Sequence, residues 1–280
     1  MAYRSLMVLL AQDAHHVARV HYAIKLAQAL DGHLIGLAPT GLLEVPMLQG
    51  SSGAMGELAG QAWRLMRERA DDAVELFRRT CSAAGFASHE SLVVEDDHAV
   101  ALIRHSNCCD LAIMSQPEPG SAGYAEARAL LEEMVLLSAR PTLIVPYAGQ
   151  FAPPQRRAMV AWDEGRESAR AVADALPLLV RMDNVQLTTW RTARQPDDPA
   201  LAERTAAFSK WLLWHGVQAE VRTEVSDVPV AEAMLSRAAD LGADLLVMGA
   251  YGHPRWAQRV LGGATRGILD SMTVPVLMSH

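Results

Sequence analysis

The chain alternates short apolar runs with stretches in which apolar residues recur every three or four positions. In the C-terminal half, the apolar runs predict β-strands at 158–162, 185–190, 219–225, 244–250 and 274–279. The intervening stretches predict amphipathic helices near 166–181, 199–214, 229–241 and 263–271. Continuous apolar strands separated by helices are typical of a parallel sheet covered on both faces. The pattern therefore predicts an α/β, doubly wound, Rossmann-like domain.

The same pattern occurs twice in the chain. DLAIM at 110–114 resembles DLLVM at 244–248, and RPTLIVP at 140–146 resembles VPVLMSH at 274–280 with the same offset. Residues 4–23 resemble residues 157–175 at a larger offset, so the first copy has extra residues in its middle. We place this excess in the Gly-, Ser- and Met-rich stretch 43–60 and predict a loop there.

The repeat predicts two tandem domains, each with a five-stranded parallel sheet and helices on both faces. The first copy spans residues 1–147 and the second spans residues 157–280. Pro, Gly and charged residues mark a linker at 148–156.

Composition narrows the class of protein. Half of the residues are hydrophobic and the net charge is −7, which predicts a well-packed core and no surface for nucleic acid. No apolar run reaches the ~18 residues of a membrane span, and the apolar N-terminus reads as a buried strand rather than a signal peptide. The three cysteines, Cys81, Cys108 and Cys109, favour a reducing compartment. We therefore expect a cytoplasmic protein without a nucleic-acid or membrane partner.

The most informative segment is MGAYGHPRWAQRVLGGATRGIL at 248–269, which joins an apolar strand to a helix. Its glycines permit positive φ and close approach of a ligand to the backbone. Free amides at the start of the helix, together with the helix dipole, favour an anion. Thr265 adds a hydroxyl, and positive charge comes from His253, Arg255, Arg259 and Arg266. The segment therefore predicts a phosphate site at the carboxyl edge of the sheet.

Asp163 ends the first strand of the second copy, at the same edge of the sheet as the glycine segment. A carboxylate there can accept a hydrogen bond from a ribose hydroxyl or a base amine. The alternative is that Asp163 caps the following helix. Its position beside the glycine segment favours the binding role.

With these residues, the second copy resembles a universal stress protein domain. Nucleotide-binding members of that family carry glycine, two residues, glycine, nine residues and glycine, and this is the spacing of Gly249, Gly252 and Gly262. The family's closing PVL strand and first-strand acid are matched here by 275–277 and Asp163. The resemblance implies a role in stress response or signalling. It also implies that ATP or a related adenine nucleotide, with or without Mg²⁺, contacts Asp163, Gly249, Gly252, His253, Gly262, Gly263, Ala264 and Thr265.

The sequence departs from the family at several positions. Gly263 stands where a Ser or Thr is usual, and Glu164-Gly165 stands where Gly-Ser is common. In the first copy all three glycines are replaced, by Ser115, Glu118 and Arg128, and Ala11 replaces the acid. We therefore expect the first copy to be degenerate and not to bind a nucleotide in the family's manner. Because this copy lacks the glycines, we interpret them as a requirement of binding rather than of folding.

No nucleophile, base and acid with suitable spacing are visible, so no catalytic residue is predicted. His15, His16 and His21 do not share a helix face, and no metal site is predicted. Two alternatives remain open. One is a slow, metal-assisted nucleotide hydrolase or transferase on the same fold. The other is a scaffold or small-molecule binder that uses the first copy or residues 43–60.

Each copy ends in an apolar strand, at 141–146 and 274–279. In the family this strand is a sheet edge that pairs with its counterpart, and an exposed apolar edge needs such cover. The resemblance therefore implies that the two strands pair within one chain. It also favours a homodimer of the whole chain.

Overall fold

In a computed structural model, the structure describes residues 2–41, 54–192, 198–252 and 263–280. The strands are β1 (Ser5–Leu9), β2 (His33–Pro39), β3 (His89–Val94), β4 (Leu111–Ser115), β5 (Thr142–Val145), β6 (Arg157–Ala161), β7 (Asn184–Arg191), β8 (Ala219–Val225), β9 (Leu245–Gly249) and β10 (Val276–Ser279). The helices are α1 (His16–Leu30), α2 (Ala54–Ala83), α3 (His98–Ser106), α4 (Tyr124–Leu137), α5 (Arg166–Leu179), α6 (Pro199–Trp214), α7 (Val230–Leu241) and α8 (Gly263–Ser271).

One compact unit comprises residues 1–2, 116–124 and 141–280. Its strands lie in the order β5-β10-β9-β6-β7-β8, and all neighbours are parallel except β5 and β10. β5 pairs antiparallel with β10, and Leu143 lies opposite Leu277. The predicted pairing between the last strands of the two copies is thus present.

The other compact unit comprises residues 3–115 and 125–140. Its strands lie in the order β3-β2-β1-β4, and each neighbouring pair is parallel. The apolar strands are buried, as a sheet covered on both faces requires. The predicted α/β class with parallel sheets is confirmed.

An aspartate that is common to both repeats fixes the start of the first strand in each copy. Asp110 Oδ2 accepts hydrogen bonds from the amides of Arg4 and Ser5 at 2.8 and 2.9 Å. Burial raises the pKa of Asp110, but these amides and the Ser5 hydroxyl outweigh burial, so the net pKa is lowered. In the second copy, Asp244 accepts from the amides that begin β6. The repeated aspartate therefore anchors one strand to its neighbour.

The predicted loop at 43–60 is wrong for residues 54–60, which form the start of α2. Ala and Leu are good helix formers and outweigh the isolated glycines in this segment. Residues 43–53 lie outside the described residues. By contrast, α6 begins where the sequence predicts, because Asp198 accepts from the Ala200 amide at 3.1 Å and Pro199 occupies the first turn.

Within the described ranges, no helix is long and apolar enough to cross a membrane. All three cysteines are free, and burial raises the pKa of the Cys81 thiol to about 11 and that of Cys109 to about 12. Cys108 is exposed.

Candidate functional site

A cavity of about 790 Å³ lies at the carboxyl ends of β6, β7 and β9. β6 has β7 on one side and β9 on the other, so the cavity lies where the winding of the sheet reverses. Such switch points are where open α/β sheets bind ligands. The predicted site residues that line the cavity are Asp163, Gly249, Gly252, Gly263, Ala264 and Thr265. His253 and Gly262 lie outside the described residues.

Asp163 uses one carboxylate oxygen to shape the turn before α5. Its Oδ1 accepts a hydrogen bond from the Gly165 amide at 2.8 Å. Asp163 is exposed to the cavity, and no group in the described ranges donates to its Oδ2. The helix cap itself is Gly165, which makes no side-chain cap bond. Asp163 can therefore hold the turn and accept a ligand hydroxyl at the same time.

Gly249 packs tightly against the start of α5. A Cβ on Gly249 would lie 2.4 Å from the Ser168 amide nitrogen and 2.5 Å from the carbonyl carbon of Glu167. The interpretation that these glycines serve binding alone is therefore incomplete, because Gly249 is also required by packing. A Cβ on Gly252 would meet only the Glu167 carboxylate, at 2.9 Å, and that group can move.

The described glycines of the motif do not have positive φ. Gly249, Gly252 and Gly263 lie outside the left-handed region, whereas Tyr251 has φ of +55°. The expectation that these glycines supply positive φ is wrong. Gly249 and Gly252 instead let atoms of Glu167 and Ser168 come close to the backbone.

The first turn of α8 presents backbone amides to the cavity. Gly263, Ala264 and Thr265 all line it. The Thr265 hydroxyl accepts a hydrogen bond from the Tyr251 amide at 3.2 Å, which ties the helix start to the end of β9 and leaves the hydroxyl proton available. A Cβ on Gly263 would meet no atom within 4 Å, so this side of the helix start is open. These features suit an anion.

A charged cluster at the cavity was not predicted from the sequence. Glu164 has φ of +64°, and its two carboxylate oxygens accept from Arg204 at 2.7 and 2.8 Å. Arg204 also donates to Asp198 at 2.7 Å, and this bond lowers the pKa of Asp198. The available sequence signal was the departure at Glu164, where the family often has a glycine. One arginine thus pairs with two of the acids that line the cavity and offsets part of their negative charge.

The remaining wall is mostly apolar. It includes Trp162, Leu201, Pro229, Val230 and Met234. The ring of Trp162 stacks on Phe208 with a centroid distance of 3.7 Å. Two buried polar atoms in this wall, Nε1 of Trp162 and Oγ1 of Thr189, have no hydrogen-bond partner in the described ranges. Both atoms are buried, so they are unsatisfied polar groups within this wall rather than groups exposed to the cavity.

Comparison with known proteins identifies the C-terminal part of the chain. Residues 155–280 match the model of the universal stress protein family. They form a universal stress protein domain. The chain matches none of the curated proteins with which it was compared.

Solved structures extend the likeness in fold to the whole chain. A universal stress protein from Archaeoglobus fulgidus DSM 4304 is 15% identical, with 99% of this chain and 96% of that chain covered and a TM-score of 0.69. A functionally unknown protein from Pseudomonas aeruginosa PAO1 is 15% identical, with 99% and 92% covered and a TM-score of 0.57. The resemblance stated from the sequence is confirmed, and the full-length likeness is consistent with two copies of the universal stress protein fold.

In the first copy of this fold, an arginine side chain lies at the sheet edge, next to the residue that aligns with Gly249 of the second copy. Arg19 is buried, and its guanidinium donates to the Leu9 carbonyl at 2.8 Å and to the Ser115 hydroxyl at 2.9 Å. It also pairs with Asp13 at 3.0 Å. Ser115 aligns with Gly249 of the universal stress protein domain. The first copy thus places a protein cation beside the residue that aligns with Gly249.

Proposed function

We propose that the C-terminal domain binds ATP or a related adenine nucleotide, and that the protein acts in stress response or signalling with nucleotide occupancy as its switch. One observation carries the proposal. Asp163 and the described part of the glycine motif, which are far apart in sequence, line the same cavity at the switch point of the sheet.

The lining of the cavity suits the three parts of a nucleotide. The amides at the start of α8 and the glycines at the end of β9 would receive the phosphates. The free Oδ2 of Asp163 would accept a ribose hydroxyl. The wall that includes Trp162, Leu201 and Met234 would receive the base through apolar contact. The volume of about 790 Å³ falls within the range of small-molecule sites.

The negative charge of the acids at the cavity is partly offset within the protein. Glu164 and Asp198 would repel phosphate if they were free, but Arg204 pairs with both. Among the carboxylates that line the cavity, Asp163 has an oxygen, Oδ2, that accepts no hydrogen bond in the described part of the chain. Its proposed partner is a sugar hydroxyl rather than a phosphate.

The test is direct. The purified chain is denatured and any released nucleotide is identified by mass spectrometry, and ATP binding is measured by calorimetry. We expect Gly252→Glu, which copies Glu118 of the first copy, to lower ATP affinity by at least about tenfold through repulsion of phosphate. Asp163→Asn should weaken binding by about tenfold, because hydrogen bonds to charged groups contribute about 1.5–3 kcal/mol. Gly60→Glu is the matched control, since a Cβ there meets no atom within 4 Å.

Two outcomes would contradict the proposal: no released nucleotide together with no measurable ATP affinity, or equal affinity in Gly252→Glu and Gly60→Glu. Phosphate release well above background, lost in Gly252→Glu, would favour the hydrolase alternative. Gly263→Ser provides a gain-of-function test, because there is room for a hydroxyl beside the proposed phosphate site. We expect it to bind ATP more tightly than the unsubstituted chain.

A further inference from the structure

A segment of the first copy packs in the compact unit of the second copy. Residues 116–124 follow β4 of the first copy, yet they belong to the unit that contains residues 141–280. The offset that relates 110–114 to 244–248 aligns this segment with 250–258, which follows the first glycine of the motif. The part of the first copy that has lost the glycines is therefore part of the surroundings of the universal stress protein domain.

Gln116 and Ala250 occupy the same backbone position in the two copies. The Gln116 amide donates to the Val145 carbonyl at 2.8 Å, and the Ala250 amide donates to the Ser279 carbonyl at 2.9 Å. The two acceptors are related by the same offset as the two donors. The positions thus differ in side chain and not in this backbone bond, so alanine is compatible with the backbone at Gln116.

The side chain of Gln116 is fully buried and is bonded at both ends of its amide group. Its Nε2 donates to the Leu269 carbonyl at 3.0 Å, and its Oε1 accepts from the Tyr147 amide at 3.3 Å. Leu269 lies in the last turn of α8, where carbonyls lack a partner within the helix. Gln116 therefore supplies a donor to the C-terminal end of this helix.

The same segment reaches α8 at the next residue as well. The Tyr124 hydroxyl lies 3.5 Å from Oδ1 of Asp270, which follows Leu269 in the last turn. Tyr124 is half-buried, whereas Gln116 is fully buried. The segment from the first copy thus holds the C-terminal end of α8 mainly through the glutamine.

The other end of α8 lies at the cavity. Its first turn lines the cavity, and the Thr265 hydroxyl accepts a hydrogen bond from the Tyr251 amide. Thr265 and Leu269 are four residues apart and both are buried, so they lie one turn apart on the same side of the helix. The bond from Gln116 is therefore made one turn from the helix start that is proposed to receive the phosphates.

We propose that Gln116 is a positioning residue for the nucleotide site. By holding the C-terminal end of α8, it fixes the direction in which the first-turn amides point, and it thereby sets the affinity for the phosphates. This inference rests on the proposed function of the cavity. Gln116 is buried outside the cavity lining and acts only through α8. Because this helix of nine residues is only ~13 Å long, a change at one end is felt at the other.

The proposal gives the altered segment of the first copy a function. The side chain of Ala250 has no hydrogen-bond donor, so the second copy cannot make the equivalent bond. Glutamine at this position supplies the donor to Leu269. The first copy would then contribute to nucleotide binding without contacting the nucleotide.

A purely structural role for Gln116 makes a different prediction. A buried carbonyl that loses its donor costs stability anywhere in a fold. Such a cost lowers the fraction of folded protein but leaves the ATP affinity of the folded protein unchanged. Positioning instead lowers the ATP affinity of molecules that are fully folded.

The first experiment compares the binding of ATP and adenosine to the full chain by calorimetry, below the onset of unfolding. Gln116→Ala introduces the residue of the second copy, and Gln116→Met keeps the length of the side chain if the alanine variant does not fold. We expect each to bind ATP at least about threefold more weakly. Adenosine carries no phosphate, so its affinity should not change.

Gln186 is the matched control. It is also a buried glutamine of the same compact unit, and its Oε1 accepts from Arg237 at 2.8 Å. It lies toward the amino end of β7, whereas the cavity is at the carboxyl end. Gln186→Ala and Gln186→Met should lose stability but bind ATP like the unsubstituted chain.

The second experiment measures hydrogen exchange of the α8 amides without nucleotide. We expect exchange at least about threefold faster in Gln116→Ala than in the unsubstituted chain, and no change in Gln186→Ala. The inference alone is overturned if exchange in α8 is unchanged, if the Gln116 and Gln186 variants bind ATP equally well, or if adenosine affinity falls as much as ATP affinity. No ATP binding by the unsubstituted chain would contradict the proposed function and overturn the inference with it.

Discussion

The guanidinium of Arg19 donates a 2.9 Å hydrogen bond to the hydroxyl of Ser115, at the place in the first copy that Gly249 occupies in the second. Arg19 comes from α1, whereas the residue that aligns with it in α5 is the small Ala171. The first copy has therefore built an internal polar cluster at the sheet edge. This arrangement supports the expectation that the first copy does not bind a nucleotide in the manner of the family.

Removing this arginine should destabilise the fold. Arg19→Ala removes the hydrogen bonds that Arg19 donates to the Leu9 carbonyl and to Asp13 Oδ2, and we expect a loss of about 2–4 kcal/mol in the free energy of unfolding. Urea denaturation measures it. Arg79→Ala removes an exposed pair on α2 and should cost less than about 0.5 kcal/mol. Equal effects of the two substitutions would show that the Arg19 cluster does not stabilise the fold.

The two glycines at the end of β9 should respond differently to a methyl group. Gly249→Ala brings Cβ within 2.5 Å of backbone atoms of Glu167 and Ser168, so the start of α5 must shift. We expect a cost of about 1–3 kcal/mol, typical of overpacking. Gly252→Ala meets only a movable carboxylate and should cost less than about 1 kcal/mol. Unfolding of both variants in urea compares them, and a milder effect at Gly249 than at Gly252 would be incompatible with the packing described above.

Glu164 tests the effect of backbone strain at the cavity. Its φ of +64° suits glycine, so Glu164→Gly should be more stable than Glu164→Ala by about 1 kcal/mol, although both lose the pair with Arg204. Glu232, in the first turn of α7, is the matched control. There glycine should be less stable than alanine, because its backbone is helical. Thermal unfolding of the four variants gives both differences, and the same sign at both sites would refute the role of φ.

Asp110 should make stability depend on pH. Its folded pKa is lowered, because the amide and hydroxyl bonds from Arg4 and Ser5 outweigh the opposing effect of burial. The carboxylate therefore adds stability above its unfolded pKa of about 3.9, and this contribution is lost as the pH falls through the folded value. The difference in unfolding free energy between the natural chain and Asp110→Asn should shrink between pH 6 and pH 3. Asp240→Asn, which removes an exposed carboxylate at the end of α7, is the control variant.

Hydrophobic periodicity predicted most of the second copy. The strand at 219–225 and the helix at 199–214 have the bounds that the sequence indicated. The strand depends on the local pattern of apolar and polar residues, and the start of the helix depends on the local cap at Asp198. The cavity follows from the same information, because parallel strands bring Asp163 and Gly249 to one edge. The spacing of the glycines, which matches that of the universal stress protein family, added the expectation that the ligand is an adenine nucleotide.

What the sequence did not predict depends on contacts between distant residues. Arg19 reaches Ser115 across 96 positions, and Arg204 reaches Glu164 across 40. Neither pair is marked by periodicity, and Arg19 within a helical pattern looks like an ordinary surface residue. The tight packing of Gly249 against α5 could not be predicted either, because it depends on where α5 begins relative to β9.

The pairing of β5 with β10 has a consequence for how the sequence of this protein can diverge in evolution. In a dimer of two identical chains, every substitution near the twofold axis occurs on both sides at once. Here Thr142 faces Met278, and Ile144 faces Val276, so the two sides of the contact are encoded separately. One side can therefore diverge while the other is held constant. A single gene of this kind can lose the glycines of one copy and keep those of the other, which a symmetric dimer cannot do.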